Sequence, residues 1–89
     1  MKRWTQIYKA LANLNRLKII KLLAKTGKQM TVADIAAEID ISFKGTSKHL
    51  ILLHNLDVLE NQGRDGHVFY SFNQNMPKDV RKAINPFLS

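Results

Sequence analysis

Residues 40–56 read DISFKGTSKHLILLHNL. Ser42 is a helix-start residue, because its hydroxyl can accept hydrogen bonds from the N–H groups that a first turn leaves open. Apolar residues then recur at helical spacing. At about 100° per residue, Thr46, Leu50, Leu53 and Leu56 gather on one side, which predicts a helix from 43 to about 56 with that side inward. Phe43, Lys44, Ser47, Lys48, Ile51, His54 and Asn55 fall on or near the other side. Lysine and serine there suit contact with the phosphates and base edges of a duplex. Phe43 and Ile51 are odd on a merely solvated face. His49 sits at the border.

The residues before this stretch set its context. Thr31 and Asp34 have capping-box spacing and open a helix over 32–39, with Val32, Ile35, Ala36 and Ile39 inward. Asp40-Ile41 is then a tight turn. Helix, tight turn, helix is the arrangement in which DNA-binding proteins place base-reading side chains on the second helix. Asp34 and Glu38 lie one turn apart, an ordinary spacing for a solvated face. Met30-Thr31 forms a short extended link.

Further upstream, residues 2–12 form an amphipathic helix with Trp4, Ile7, Tyr8 and Leu11 on one narrow face. Core packing explains such a face; so does a subunit interface, where aromatic anchors are enriched. Asn15 caps a second helix from Arg16 to about Lys25, with a broad apolar arc of Leu17, Ile19, Ile20, Leu22 and Leu23. Lys18, Lys21 and Lys25 form its solvated basic edge. Gly27 stops it in the left-handed conformation.

Downstream, Leu59–Arg64 and His67–Phe72 are strand-like runs around Asp65-Gly66, a strong hairpin signal because both turn residues need positive φ. Two-residue pairing sets Arg64 opposite His67, Gly63 opposite Val68 and Leu59 opposite Phe72. Val68, Tyr70, Phe72 and Leu59 are then expected inward, with Arg64 and His67 at the tip. An isolated hairpin is marginal, so it must lean on the helices as a wing. After a polar joint at 73–76, Pro77 suits the first turn of a last helix capped by Asn75 or Met76. Val80, Ala83, Ile84 and Phe87 make its stripe, and Pro86 ends it near Ile84.

Composition bounds the function. Eighty-nine residues make one small domain, 1–89. Alone it buries only about 60% of its unfolded surface, so an oligomer would add burial. The formal charge is +7, and residues 1–30 hold eight Lys or Arg and no acid. That balance suits phosphate polymers or anionic surfaces, although lysines also serve plain solubility. There is no cysteine, which excludes disulfides and thiolate metal sites. No apolar run approaches the roughly 18 residues of a membrane span, and no signal-peptide pattern opens the chain. A cytoplasmic location is expected, with no membrane partner. No nucleophile–base pair, phosphate loop or carboxylate cleft suggests an enzyme, and no cofactor is implied.

Four pieces in order resemble the ArsR-type (arsenic-repressor-like) winged helix–turn–helix regulators. ALANLNRLKIIKLL at 10–23 is similar to the family's opening, with Arg16-Leu17 at its Arg-Leu. TVADIAAEIDIS at 31–42 resembles its third helix and turn. TSKHLILL at 46–53 resembles its Ser-x-His-Leu signature, here Ser47, His49 and Leu50. RDGHVFYSF at 64–72 resembles its wing. The likeness covers roughly residues 7–73. It implies a mainly α fold with a small β-hairpin, in the order α-α-α-α-β-β-α. It implies a homodimer paired through the first and last helices, 1–12 and 77–88, that binds double-stranded DNA and represses transcription. Many members release DNA on binding a metal or another inducer.

This sequence departs from that pattern. Lys28, Gln29, Met30 and Thr31 stand where metal-binding cysteines occur, and the last helix has no histidine. The family's usual metal sites are therefore missing, and any small-molecule inducer is unknown. Phe43 stands where a polar residue is common, and Asp57 replaces the usual glycine after the recognition helix.

The expected DNA contacts are Ser42, Phe43, Lys44, Gly45, Ser47, Lys48, His49, Arg64 and His67. Lys44 and Lys48 suit phosphate or guanine, Phe43 a thymine methyl or a protein contact, and Arg64 a narrow minor groove. Gly45 either lets the backbone approach DNA or is merely tolerated. His49 either packs and hydrogen-bonds or touches phosphate. The expected dimer contacts are Trp4, Ile7, Tyr8, Leu11, Val80, Ile84 and Phe87. His54 and Asp57 are the best local metal pair, but zinc needs three or four ligands. Two rival readings are a winged-helix protein-interaction module, favoured by Phe43 and Ile51, and an RNA-binding winged helix.

Overall fold

Asn13, not Asn15, opens the second helix. Its side-chain oxygen accepts from the Arg16 N–H at 3.2 Å. Helix α1 (Lys2–Leu11) therefore stops at Leu11, and only two residues separate it from α2 (Leu14–Thr26). Asn15 lies inside the first turn, where its side chain cannot serve as the cap.

The computed structural model describes residues 2–88. Met1 and Ser89, the ends of the expected domain, lie outside the described residues, as does the first position of the expected pairing helix 1–12. The elements are α1 (Lys2–Leu11), α2 (Leu14–Thr26), β1 (Met30–Thr31), α3 (Val32–Ile39), α4 (Phe43–Asn55), β2 (Leu59–Arg64), β3 (His67–Phe72) and α5 (Lys78–Ile84), followed by a 3₁₀ turn (Asn85–Phe87). The architecture is a winged helix–turn–helix, with one strand more than expected. Met30-Thr31 pairs antiparallel with Tyr70 and Phe69, giving a three-stranded sheet in the order β1-β3-β2. A two-residue strand has no periodicity of its own; only its partner makes it one.

The hairpin has the expected register, from Leu59↔Phe72 to Arg64↔His67. Asp65 (φ 53°) and Gly66 (φ 78°) are both left-handed, as the turn requires. Leu59, Tyr70 and Phe72 face the core, but Val68 is 43% exposed. Its alternation is correct, yet the tip of the wing extends past the helices that cover the rest of that face.

Pro77 itself occupies the cap position of α5, without a side-chain cap bond, so neither Asn75 nor Met76 has that role. Pro86 ends the helix at Ile84, and the chain tightens into the 3₁₀ turn.

The core is built on α2. Ile19, Ile20 and Leu23 are fully buried and join Ile35 of α3, Leu50 and Leu53 of α4, Leu59 of β2, and Val80 and Ile84 of α5. Each such side chain contributes about 1.5–3 kcal/mol by burial. Thr46, the buried polar residue of α4, is satisfied: its hydroxyl donates to the Ser42 carbonyl at 2.8 Å.

Candidate nucleic-acid interface

The first half of α4 is rigidly set. The Ser42 Oγ accepts from the Gly45 N–H at 3.0 Å. A Cβ built on Gly45 would lie 3.0 Å from that same oxygen. That contact is tight, although the Thr31 and Asn13 caps form equally well over Asp34 and Arg16, which carry a Cβ. From this anchored turn Phe43, Lys44 and Lys48 project outward and Ser47 is half-buried. Phe43 is 60% exposed and Ile51 51%.

The wing stands beside this helix. Phe43, Ser47 and Ile51 of α4 share a cleft of about 350 Å³ with Gly66, His67 and Val68 of the hairpin. Two of the expected DNA-contacting residues of the helix, Phe43 and Ser47, and His67 at the wing tip thus open on one groove. Arg64 is exposed at the tip, its guanidinium 4.4 Å from the centre of the Phe69 ring. That stacking limits where a long flexible cation can go. Gln29 donates to Gln62 at 2.9 Å and ties the middle of β2 to the link before β1.

His49 is half-buried and accepts, through Nδ1, a 3.1 Å hydrogen bond from Arg16 Nε. Arg16 also donates to the Ala10 carbonyl at 3.3 Å. A ring nitrogen that accepts carries no proton, so the neutral imidazole keeps its hydrogen on Nε2. Burial first, and the Arg16 charge second, hold the His49 pKa below its ordinary value. His49 therefore has a defined packing role and still has Nε2–H as a donor. Arg16 is the residue that sequence reading missed here. It was visible only as half of an Arg-Leu motif, since nothing local connects it to a residue 33 positions away.

Asn73 was also missed. It is buried, donates to the Asp57 carbonyl at 2.9 Å and accepts from the Asn75 N–H at 2.9 Å. It locks the exit of the wing against the turn after α4. Asp57 occupies that turn at φ 65°, the left-handed conformation.

The expected pairing residues divide. Trp4 and Tyr8 are 37% and 54% exposed, with rings stacked at 5.7 Å between centroids and 18° between planes. Phe87 is 36% exposed. Ile7, Leu11, Val80 and Ile84 are instead closed inside the protomer's own core. The helical stripes of α1 and α5 pack on their own domain, so these four are not available as subunit contacts. Arg3 links the two helices, with Nε 2.7 Å from Asp79 Oδ2 and a longer pair, 3.8 Å, to Asp57. The Arg3 hydrogen bond holds the Asp79 carboxyl below the usual range. Among the described residues no group of three or more His, Cys, Asp or Glu is placed to hold a metal ion. None of their helices is long and apolar enough to cross a membrane.

The chain is similar to the transcriptional repressor SdpR of Bacillus subtilis, with 33% identity over 73 residues, 82% of this chain and 79% of the relative. It is 31% identical to the arsenical resistance operon repressor of Escherichia coli over 80 residues, 90% of this chain and 68% of that one. The chain belongs to the ArsR family of winged-helix regulators. A solved homodimeric winged helix–turn–helix DNA-binding domain from Mycobacterium bovis, described as a possible ArsR-family regulator, superposes with a TM-score of 0.75. It shares 25% identity and covers 93% of this chain and 72% of that one. The family model described as an O-methyltransferase dimerisation domain also matches, over residues 6–74, the span from α1 through the wing. That description names a pairing module. For an ArsR-family chain, the Arg16–His49 bond joins two of the segments by which the family was recognised in sequence, the Arg-Leu and the Ser-x-His-Leu.

Proposed function

We propose that this chain is a homodimeric repressor that binds specific double-stranded DNA, has no enzymatic activity and lacks the family's usual metal-sensing sites. The observation that carries this reading is the groove shared by α4 and the wing, with Lys44 and Lys48 exposed on α4 and Ser47 within the groove. Two copies would set two α4 helices in successive major grooves, about 34 Å apart, with wings on flanking minor grooves or phosphates. Ser42, Gly45 and the Ser42–Gly45 cap would hold the backbone at the groove. Phe43, Lys44, Ser47 and Lys48 would choose register and sequence. His49 Nε2–H would reach a phosphate, and Arg64 and His67 would engage the flank.

Pairing would use Trp4, Tyr8 and Phe87. The family match to a dimerisation module, and the homodimeric relative from Mycobacterium bovis, support it. The test is selection from random duplexes, followed by mass measurement of the complex. A palindromic site holding two protomers is expected; a single protomer on an asymmetric site would remove the dimer model. Lys44→Ala and Lys48→Ala should each weaken binding and lower the salt slope by about one. An unchanged slope in both would exclude their phosphate roles.

One observation favours a second reading. Phe43, Ile51 and Val68 are large apolar side chains left exposed, and all three line that groove. A protein-interaction module would use them as anchors. Absence of duplex binding at low salt would favour it.

A further inference from the structure

A second cleft lies away from the reading half of α4. It has a volume of about 510 Å³ and sits between α2, the end of β3 and α5. Lys21, Lys25 and Arg81 supply three cations to its wall, while Ala24, Phe72 and Leu88 supply apolar surface. No acidic residue lines it. The ion pairs among the described residues belong to Arg3, so none of these three cations is neutralised by a carboxylate.

Arg81 is the decisive group. Its Nη1 is buried and has no hydrogen-bond partner. Its guanidinium carbon lies 5.6 Å from the centre of the Phe72 ring, within cation–π range. Buried donors in folded proteins are nearly always paired; Nη1 has no accessible surface where it stands, so it gains a partner only if the side chain turns toward an anion in the cleft. A guanidinium matches a planar carboxylate or a phosphate by paired donors. The size falls within the range of small-molecule sites, and the mix of apolar wall with a few converging charges is their usual chemistry.

We propose that this cleft binds a small amphipathic anion, with a carboxylate or phosphate head on Arg81 and the two lysines and an apolar body against Phe72, Ala24 and Leu88. A nucleic-acid backbone fits less well, because it offers no apolar body to the wall of Phe72, Ala24 and Leu88. None of its seven lining residues, Gln74 included, lies on α4 or at the wing tip. The site therefore stands or falls separately from DNA binding.

The test uses the whole chain without DNA. Octanoate, octyl phosphate, 1-octanol and inorganic phosphate are titrated by calorimetry and by thermal shift. Octanoate or octyl phosphate should raise the Tm and bind about tenfold or more tighter than both octanol and inorganic phosphate, since each of those lacks one half of the recognised chemistry. The better of the two identifies the head. Arg81→Gln should weaken that ligand about tenfold. Lys21→Gln with Lys25→Gln, on an exposed helix edge that folding does not need, should weaken it as much. Lys44→Gln on α4 should not. Binding of neither amphipathic anion overturns the proposal. So does equal binding of inorganic phosphate, which would reduce the cleft to a plain basic patch. Undiminished binding in the double lysine variant overturns it even if Arg81→Gln does not fold.

Discussion

His49 has a packing and hydrogen-bonding role that its neighbours in sequence do not disclose. Its helical angle puts it at the edge of the core, and there Arg16 fixes the ring through Nδ1. The consequence for pH follows from the direction of its shift. The folded imidazole has a pKa below the ordinary value of 6.5. As pH falls through about 6.5 the unfolded chain takes the proton first, so folding stability decreases until the folded pKa is also passed. Urea unfolding at a series of pH values should show this loss in the native protein. His49→Gln, which keeps an acceptor for Arg16, should show a smaller one. Identical pH profiles would mean that His49 is not linked to folding. Gly45 is the other case at this scale. A Cβ there would lie 3.0 Å from the Ser42 Oγ, a tight contact that no pattern in sequence shows.

Among the elements, the turn after α4 carries the most consequence. It joins the recognition helix to the wing, and two residues hold it. Asp57 adopts φ 65° without being glycine, a conformation that costs most L-residues about 1–2 kcal/mol and aspartate somewhat less. Asp57→Gly should therefore stabilise by about 0.5–1 kcal/mol. The lost pair with Arg3 is long and exposed and offsets little of that gain. A lower denaturant midpoint would show that the Asp57 side chain matters more than its backbone. Asn73→Ala should have the opposite effect, because it leaves the Asp57 carbonyl and the Asn75 N–H without the side-chain partners they now have. A loss of about 1–3 kcal/mol is expected, read as a fall in Tm of about 4–8 °C per kcal/mol. A Tm within a degree of the native value would mean that the wing is held by its strands alone.

For the whole molecule, the surface left open by α1 and the C-terminal turn has to be covered or tolerated. Trp4 and Tyr8 stack on one another in the open while the rest of their helical face is buried within the protomer. Replacing both with serine should convert a dimer to monomer in sedimentation equilibrium, with the helical circular dichroism spectrum retained because neither side chain belongs to the core. Retained dimerisation would place the interface elsewhere. Loss of the helical spectrum would mean that pairing and folding are one process, as a chain of this size allows.

The sequence by itself determined most features that rest on local chemistry, although it misplaced the caps of α2 and α5. The Ser42 and Thr31 caps, the left-handed Gly27, the Asp65-Gly66 turn with its register, and the inward set Thr46, Leu50, Leu53 and Leu56 all follow from residues within a few positions of one another. Together these made the winged helix–turn–helix legible, and with it the exposed set Phe43, Lys44 and Lys48 on α4. Tertiary structure decided whatever depends on a distant partner. It made a strand of Met30-Thr31, exposed Val68 beyond the helices, and withdrew Ile7, Leu11, Val80 and Ile84 into the protomer's core. It also joined Arg16 to His49, Asn73 to Asp57, and Arg81 to a cleft lined by two lysines of α2. Periodicity tells which way a side chain points along its own element; only packing tells what stands opposite.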